Sequence, residues 1–365
     1  MNEGPVCPGC GSRPAADAPD GMCPLCLLGA ALLDSEGPSS RPGRIPPGED
    51  PAASGGDEPT AVPAGGADGG RPGPPARAAR YHLQGEIGRG GMGVVLRGRD
   101  PELGRDLAVK VLLEPYQDRP ELVRRFLEEA RIGGQLQHPG VVPVYDVGRL
   151  PDRRPFIAMK LVVGRTLAEL LGSRAGPAED RPRFLAIFEQ VCQAVAYAHT
   201  RGVLHRDLKP SNVMVGPFGE VQVMDWGLAK ALGRGGSAGS GTEAPVWGAG
   251  DGAAALATDP GKIMGTAAYM APEQARGEVE RLDERADVFA VGAILCEILT
   301  GRPPYDDPSS ARVLERAAAA DLADALARLE GCGADVELIG LARGCLAADP
   351  TDRPPHAGAV AQAVA

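Results

Sequence analysis

The sequence has no long apolar run, few aromatic residues and no excess of positive charge. Its 365 residues include only 2 Trp, 6 Tyr and 6 Phe, and no stretch approaches the roughly 18 consecutive apolar residues that a membrane-spanning helix needs. The formal net charge is −10, which argues against a protein that coats nucleic acid or binds a membrane through a basic face. The N-terminus lacks the basic and apolar regions of a signal peptide, so the expected compartment is the cytoplasm.

The eight cysteines fall into two groups, one paired in sequence and one scattered. Cys7, Cys10, Cys23 and Cys26 form two CxxC pairs with 12 residues between them, a spacing typical of a tetrahedral structural Zn²⁺ site. Two disulfides or CxxC redox chemistry are alternatives, which a cytoplasmic setting and the lack of a thioredoxin-like βαβ pattern disfavour. We therefore predict a zinc-ribbon-like module over residues 1–33, folded by its metal and able to bind a protein partner.

The segment that follows is poor in apolar residues. Gly or Pro occupies 20 of the 47 positions in residues 34–80. Such a segment cannot bury enough surface to offset its ordering entropy, so a disordered linker is predicted there.

Residues 81–365 have the pattern of a globular domain. Apolar residues make up 43% of the whole sequence, and few of them lie in the linker. Alternation typical of strands covers 81–99 and 106–113, and helical periods cover 121–136, 184–200, 288–299 and 322–329. This order predicts a strand-rich lobe over 81–161 and a helical lobe over 162–365, with a cleft between them.

A glycine-rich segment separates the first two strand-like stretches. Gly88, Gly90 and Gly93 have the GxGxxG spacing, which lets a backbone approach phosphate oxygens without obstruction by Cβ atoms. Flexible turns and dinucleotide-binding folds share that spacing, but a dinucleotide site needs a helix after the glycines, and here a strand follows. The predicted nucleotide-binding positions are Ile87, Gly88, Arg89, Gly90, Gly91, Met92, Gly93, Val94 and Val95.

Lys110 lies inside the next predicted strand, where its charge has to be paired or solvated. One alternative is a lysine at the edge of the sheet that extends its amine into water. The other is pairing with Glu129, which follows in a helical segment and can supply the counter-charge.

Residues 205–212 place an acid, an amine and an amide in one short loop. Asp207 can accept the proton of an attacking hydroxyl, Lys209 can neutralise charge on a phosphoryl group, and Asn212 can offer an oxygen to a hard cation. Asp225 ends a strand-like stretch and is well placed to hold a Mg²⁺ ion that bridges phosphates. Phosphoryl transfer requires these groups, because positioning and electrostatics do most of its catalysis.

In this order the motifs resemble those of eukaryotic-type serine/threonine protein kinases of the bacterial Pkn/Stk kind. The resemblance covers residues 81–365 and implies an α+β, two-lobed protein kinase fold. It implies ATP and Mg²⁺ (or Mn²⁺) as cofactors and protein Ser or Thr hydroxyls as substrates. It assigns Lys110 and Glu129 to the ATP phosphates, and Asn212 and Asp225 to the metal.

Further positions follow from the same resemblance. Val95, Ala108 and Met214 are expected around the adenine, with Met159 at the start of the hinge between the lobes. Two buried supports are also expected: Asp287 bracing the catalytic loop, and Arg353 paired with Glu273 of an Ala-Pro-Glu motif. Lys209 and the Gly-Thr pair at 265–266 favour serine and threonine over tyrosine.

The resemblance also implies a regulatory segment over 225–273, with Arg206 as the side chain that senses a phosphorylated residue in it. The candidate autophosphorylation sites are Ser237, Ser240, Thr242 and Thr258. Trp226 stands where the family usually has phenylalanine, and Gly133 where many members carry a large apolar residue. An alternative function is a weakly active ATP-binding scaffold that signals through its zinc ribbon, but the retention of Lys110, Asp207 and Asp225 argues against it.

Overall fold

The structure is a computed structural model, and it describes residues 80–226, 230–231 and 267–365. All of these belong to the unit that spans Gly70–Ala365. The four paired cysteines, residues 34–79 of the linker and the four candidate phosphorylation sites lie outside the described residues, as do the glycine at 227 and the Gly-Thr pair at 265–266. Within the described ranges, no helix combines the length and the apolar character needed to cross a membrane.

The described chain begins with an antiparallel five-stranded sheet in the order β1-β2-β3-β5-β4. Its strands are β1 His82–Arg89, β2 Gly93–Asp100, β3 Arg105–Leu112, β4 Val144–Arg149 and β5 Pro155–Lys160. Alternate residues of β3 point to opposite faces. Leu107, Val109 and Val111 pack with Phe156 into one apolar cluster, which leaves Ala108 and Lys110 on the other face.

Helix α1, Pro120–Gln135, covers that second face of the sheet. Proline fits the first turn of a helix, where its missing N–H has no partner to lose. Phe126 and Ala130, four residues apart, lie on one side of the helix and are buried against Leu112 and Ile157. Packing of this apolar face therefore sets the position of α1 on the sheet.

The second part of the described chain is mainly helical. Its helices are α2 Leu167–Gly172, α3 Arg181–Thr200, α4 Pro272–Ala275, α5 Glu284–Thr300, α6 Ser310–Ala318, α7 Ala323–Glu330, α8 Val336–Cys345 and α9 Ala357–Val364. Helix α5 is apolar on nearly all sides and buried along most of its length, as expected of a central helix. Helices α3, α8 and α9 pack around it.

Short strands connect this helical part to the chemistry-bearing loops. They are β6 Arg165–Thr166, β7 Val203–Leu204, β8 Val213–Val215, β9 Val221–Val223 and β10 Lys230–Ala231. β6, β8 and β9 form one small sheet, and β7 pairs with β10. Residues 205–212 lie between β7 and β8, and Asp225 follows β9, so these strands bring both segments to one place.

The predicted order of a strand-rich part followed by a helical part is confirmed, with shifted boundaries. The stretch 81–99 is two strands, because the glycines at 90–91 turn the chain. The helix predicted over 288–299 begins earlier, at Glu284. Its first turn is polar, so the apolar periodicity did not reveal it. Asp283 caps that turn by accepting a hydrogen bond from the backbone N–H of Arg285 at 2.9 Å.

Candidate active site

The glycine-rich turn lies directly above Lys110. Gly90 N–H donates to the carbonyl of Gly93 at 2.8 Å and closes the turn between β1 and β2. A Cβ on Gly93 would come within 3.0 Å of the Val111 carbonyl oxygen and 3.5 Å of Lys110 Cγ. A side chain at this position would therefore fill the space beside the lysine, where a phosphate chain needs backbone access.

Strand register decides which of the predicted nucleotide-binding side chains share a face. Val95 lies opposite Lys110, and Ala108 lies opposite Met159, so these four side chains point to the same side of the sheet. Val94, one residue earlier, points to the other side and is buried in the cluster with Leu107 and Val109. Its side chain therefore turns away from the others.

Two further positions in the nucleotide-binding prediction are Ile87 and Met214. Ile87 is half exposed in β1. Met214 belongs to β8 in the helical part, where it lies opposite Thr166 and is half-buried.

Lys110 forms a chain of ion pairs between α1 and the end of β9. Its Nζ lies 2.5 Å from Glu129 Oε1 and 3.6 Å from Asp225 Oδ1. Burial lowers the pKa of Lys110, but the carboxylates of Glu129 and Asp225 outweigh it and hold the pKa above its ordinary value. β3 also lies between β2 and β5, so the alternative of a solvated lysine at the sheet edge is wrong.

Asp207 is nearly buried and is held by two neighbours in its own loop. Lys209 Nζ lies 3.0 Å from both carboxylate oxygens. The side-chain amide nitrogen of Asn212 donates to the Asp207 carbonyl at 2.7 Å and to its Oδ2 at 3.1 Å. Because the nitrogen of the amide is engaged, the oxygen is the end of Asn212 that remains for a cation.

The donors near Asp225 fit a hard cation that is shared with phosphates. In the part of the chain that the structure describes, no group of three or more His, Cys, Asp or Glu side chains could hold a metal ion by itself. Mg²⁺ is usually held by one or two carboxylates together with substrate phosphates and water, rather than by a closed protein cage. Asp225 and the amide oxygen of Asn212 match that kind of incomplete donor set.

Asp287 on α5 fixes the backbone of the loop that carries Asp207. Its Oδ2 accepts from His205 N–H at 2.8 Å, and its Oδ1 accepts from Arg206 N–H at 2.9 Å. His199 Nε2 lies 3.0 Å from Oδ2. Burial raises the pKa of Asp287, but the hydrogen bond with His199 and the neighbouring imidazoles and N–H groups outweigh it, so the pKa lies below its ordinary value.

The loop needs this support because Arg206 adopts a left-handed backbone conformation, with φ 68°. A non-glycine residue in that region costs on the order of 1–2 kcal/mol. The guanidinium of Arg206 is almost entirely buried, and its Nε has no hydrogen-bond partner within the described residues. Burial lowers the pKa of Arg206 and Asp287 opposes that shift.

Trp226 is buried in the core of the helical part. Its Nε1–H donates to the carbonyl of Val223 at 3.3 Å, and its ring lies against that of His205 with centroids 4.5 Å apart. His205 Nε2 lies 3.0 Å from the Met224 carbonyl oxygen. The large aromatic residue therefore packs in the interior, and His205 has a structural role.

Glu273 and Arg353 form the second buried support that the sequence predicts. The guanidinium binds the carboxylate through two bonds, Nη1–Oε1 at 2.7 Å and Nη2–Oε2 at 2.9 Å. The pair joins α4 to the turn before α9.

Sequence reasoning missed two polar contacts. His199 showed no pattern, yet it binds Asp287 across 88 positions of sequence. Tyr269 Oη–H donates to Glu297 Oε2 at 2.6 Å and anchors the turn before α4 to α5. A titratable residue on the buried side of a predicted helix is the signal that could have found both.

The fold brings together the Lys110 ion pairs with Glu129 and Asp225 and the loop that carries Asp207. The sequence matches the family model described as "Protein kinase domain" over residues 81–364. This chain belongs to the protein kinase family.

Three bacterial relatives illustrate the similarity. Serine/threonine-protein kinase PknB of Mycobacterium tuberculosis is 35% identical over 277 residues, which cover 75% of this chain and 40% of that protein. PknB of Mycolicibacterium smegmatis is 39% identical over 229 residues, 62% of this chain and 33% of the relative. Serine/threonine-protein kinase PknD of Chlamydia felis is 38% identical over 245 residues, 64% of this chain and 25% of the relative. The chain spans less than half the length of these relatives.

Proposed function

We propose that this protein is an ATP-dependent serine/threonine protein kinase that transfers the γ-phosphate to protein Ser and Thr hydroxyls. The observation that carries the proposal is the pair of ion pairs that Lys110 makes, one with Glu129 and one with Asp225. The loop 205–212 also presents Asp207, which Lys209 and Asn212 hold in place. Membership of the protein kinase family and the names of the bacterial relatives support it.

The nucleotide would be held by groups from both parts of the fold. The backbone of residues 87–95 and the Lys110 amine are proposed to bind the phosphates, with Glu129 orienting the lysine. Val95, Ala108 and Met159 share one face of the sheet and are proposed to contact the adenine together with Met214.

Asp225 and the Asn212 amide oxygen are proposed to hold Mg²⁺ or Mn²⁺, which when bound neutralises charge on the phosphates. The Asp207 carboxylate accepts the hydrogen of the substrate hydroxyl and orients its oxygen towards the γ-phosphate. Lys209 lies within 3.0 Å of Asp207 and supplies positive charge where the transferring group gains negative charge. The proton moves to Asp207 as the bond between the substrate oxygen and the γ-phosphorus forms. The bond from the γ-phosphorus to the oxygen shared with the β-phosphate breaks in the same transfer, and ADP leaves with that oxygen.

Phosphotransfer from γ-labelled ATP, with phosphorylated residues mapped by mass spectrometry, tests the proposal. Label on Ser or Thr in the wild type and its loss in Asp207→Asn are expected. Asp335→Asn is the matched control, because Asp335 is exposed and makes no side-chain capping bond. Measurable ATP binding without any phosphotransfer would favour the scaffold alternative instead.

Phosphorylation within residues 231–266 is proposed to switch the kinase on. Arg206 supports this, because its nearly buried guanidinium has an unpartnered Nε that a phosphate oxygen could accept from. The candidate residues are Ser237, Ser240, Thr242 and Thr258. Unchanged activity after complete phosphatase treatment of the protein would sink this part of the proposal.

Cys7, Cys10, Cys23 and Cys26 are proposed to bind one structural Zn²⁺ in a ribbon that serves a protein partner. The proposal rests on their CxxC spacing alone. Elemental analysis of the purified chain should find about one zinc per molecule, and the Cys7→Ser/Cys10→Ser variant should lose it.

A further inference from the structure

Two charged residues of β1 form an ion pair directly before the glycine-rich turn. Arg89 Nε lies 2.9 Å from Glu86 Oε1, and Arg89 Nη2 lies 2.5 Å from Glu86 Oε2. These two bonds match the planar guanidinium to the planar carboxylate. Hydrogen bonding from Arg89 also holds the pKa of Glu86 below its ordinary value, so the carboxylate is charged at neutral pH.

The ion pair exists only because β1 contains a bulge. Residues three positions apart on a regular strand point to opposite faces of the sheet, so Glu86 and Arg89 could not meet in such a strand. The register with β2 shifts by one residue between Glu86 and Gly88. Glu86 then lies opposite Leu96 and Arg89 opposite Val94, two positions of β2 that share one face. The pair therefore spans the bulge.

The face that carries the ion pair is turned away from Lys110. Val94 packs in the apolar cluster with Leu107, whereas Val95 lies opposite Lys110 on the other face. Arg89 shares the face of Val94, although it is among the predicted nucleotide-binding positions. Any effect of the Arg89 side chain on nucleotide binding therefore has to act through the backbone of the turn.

The bulge decides which residue of β1 lies opposite Val95. With the bulge, Gly88 holds that place, and a Cβ there would lie 3.9 Å from the Cβ of Val95. Without the bulge, β1 would slip by one residue, and Ile87 would bring a branched side chain to the place that Gly88 leaves open. The same slip would shorten the turn that the bond from Gly90 N–H to the Gly93 carbonyl closes.

We propose that the Glu86–Arg89 ion pair is a register lock, which holds the bulge and so positions the glycine-rich turn for the phosphates of the nucleotide. The inference rests on the proposed function, since it gives both residues a part in nucleotide binding. Glu86 and Arg89 are positioning residues, because their side chains act through the backbone of the turn. A like-charge substitution should release the lock, and an exchange of the two charges should restore it.

Binding of a non-hydrolysable ATP analogue with Mg²⁺ to the full chain, measured by isothermal titration calorimetry, tests the lock. Glu86→Arg and Arg89→Glu should each raise Kd about twofold to fivefold, the range expected when an exposed ion pair is lost. The double variant Glu86→Arg/Arg89→Glu should bring Kd back to within about twofold of the wild type. Glu86→Arg is the decisive variant, because added positive charge would by itself tighten the binding of an anionic ligand.

Arg154→Glu is the matched control. Arg154 pairs with Asp152 at 2.7 Å beside β4, at the edge of the sheet opposite to β1. The substitution changes the net charge as Arg89→Glu does, and it should leave Kd unchanged. At about 1 M salt the difference between the wild type and Arg89→Glu should shrink, since exposed charges are screened there.

Hydrogen exchange followed by mass spectrometry tests the register without nucleotide. Peptides that cover residues 82–95 should exchange faster in each single variant, because the bond of Gly90 N–H no longer closes the turn. The double variant should regain protection, and all variants should share the thermal unfolding midpoint of the wild type. Since this measurement needs neither nucleotide nor catalysis, failure of the lock and failure of the proposed kinase activity are distinguishable.

Three results would overturn the proposal. Tighter binding of the analogue by Glu86→Arg would assign the effect to long-range charge. Equally weak binding by the double variant and the single variants would mean that Glu86 and Arg89 do not act through their ion pair. Unchanged exchange and unchanged Kd in both single variants would show that the pair has no influence on the turn.

Discussion

Arg353→Met should destabilise the folded chain more than the loss of any exposed arginine. The Arg353 guanidinium makes five hydrogen bonds. Two go to the carboxylate of Glu273, and the others go to the carbonyls of Ala347 at 2.7 Å, Arg285 at 3.0 Å and Ala348 at 3.1 Å. Both charged side chains are almost completely buried. The substitution keeps the apolar stem but leaves all five acceptor interactions unmade.

The magnitude follows from the charge left behind. Removing one partner of a buried ion pair costs about 3–5 kcal/mol, because the other charge stays out of water without compensation. For a folded unit of this size, 1 kcal/mol corresponds to about 2 °C, so the midpoint of thermal unfolding should fall by about 6–10 °C. Scanning calorimetry and urea titration of the wild type and the variant both measure the change.

Arg343→Met provides the control, because Arg343 Nη1 lies 2.6 Å from Glu330 Oε1 in an exposed pair of the same chemical type. An exposed pair contributes only about 0–1 kcal/mol. The double variant Arg353→Met/Glu273→Leu should regain part of the lost stability, since it removes the stranded carboxylate. If Arg353→Met lowers the free energy of unfolding no more than Arg343→Met does, burial does not determine how much this pair contributes to stability, and the reasoning is wrong.

Three further predictions test other parts of the structure. Lys110→Met should lower phosphotransfer by about 10²–10³-fold, as expected when a preorganised charge is lost, with an unchanged circular dichroism spectrum; a smaller loss would deny Lys110 its proposed role. Gly292→Ala should destabilise by about 1–3 kcal/mol, because its Cβ would overlap a cysteine of α8, whereas Gly344→Ala has open space and should be neutral or stabilising in the same urea titration. Burial raises the pKa of Glu297 and the hydrogen bond from Tyr269 opposes it only in part, so the stability linked to Glu297 is complete below its unfolded pKa and is lost as pH rises through the folded pKa. Glu297→Gln should therefore flatten the decline of the unfolding midpoint above about pH 4.5 relative to the wild type, and an unchanged profile would contradict it.

The side chains around the cleft were predictable where one short segment carries the chemistry. Asp207, Lys209 and Asn212 lie within six positions of one loop, and their spacing alone brings the three groups together. For Lys110 the residues alone left two interpretations open, and the family resemblance assigned Glu129 as its partner. Only the loop prediction depends on a local constraint that the sequence carries directly.

Strand alternation could have refined the nucleotide-binding prediction further. Residues 87–95 were treated as one continuous set, yet neighbouring strand residues point to opposite faces. Val94 accordingly packs in the core while Val95 faces the lysine. The period of two was present in the sequence, but the side that faces the cleft depends on the register with β3.

Contacts between distant segments were predicted only where the family motifs name both partners, as for Glu273 and Arg353. His199 meets Asp287 only because α3 and α5 pack side by side, and no periodicity encodes which residues of two helices meet. Arg124 and Arg149 likewise come together only because α1 packs against β4.

The segment between α1 and β4 connects the strand-rich part to the helical part at a fixed point. Val223 N–H in β9 donates to the Gly140 carbonyl at 2.8 Å. A Cβ on Gly140 would lie 2.8 Å from the Cβ of Ala194 on α3, so the backbone here approaches the helical part closely. This contact lies two residues before Asp225 on one side and a few residues after the end of α1 on the other.

This anchor limits how the ion-pair chain can respond to a change at α1. Because β9 is bonded to Gly140, Asp225 is held through the same contact that fixes the chain after α1. Glu129 lies on α1 itself, a helix whose N-terminus lacks a side-chain cap. A displacement of α1 is therefore expected to change the Lys110–Glu129 distance more than the Lys110–Asp225 distance.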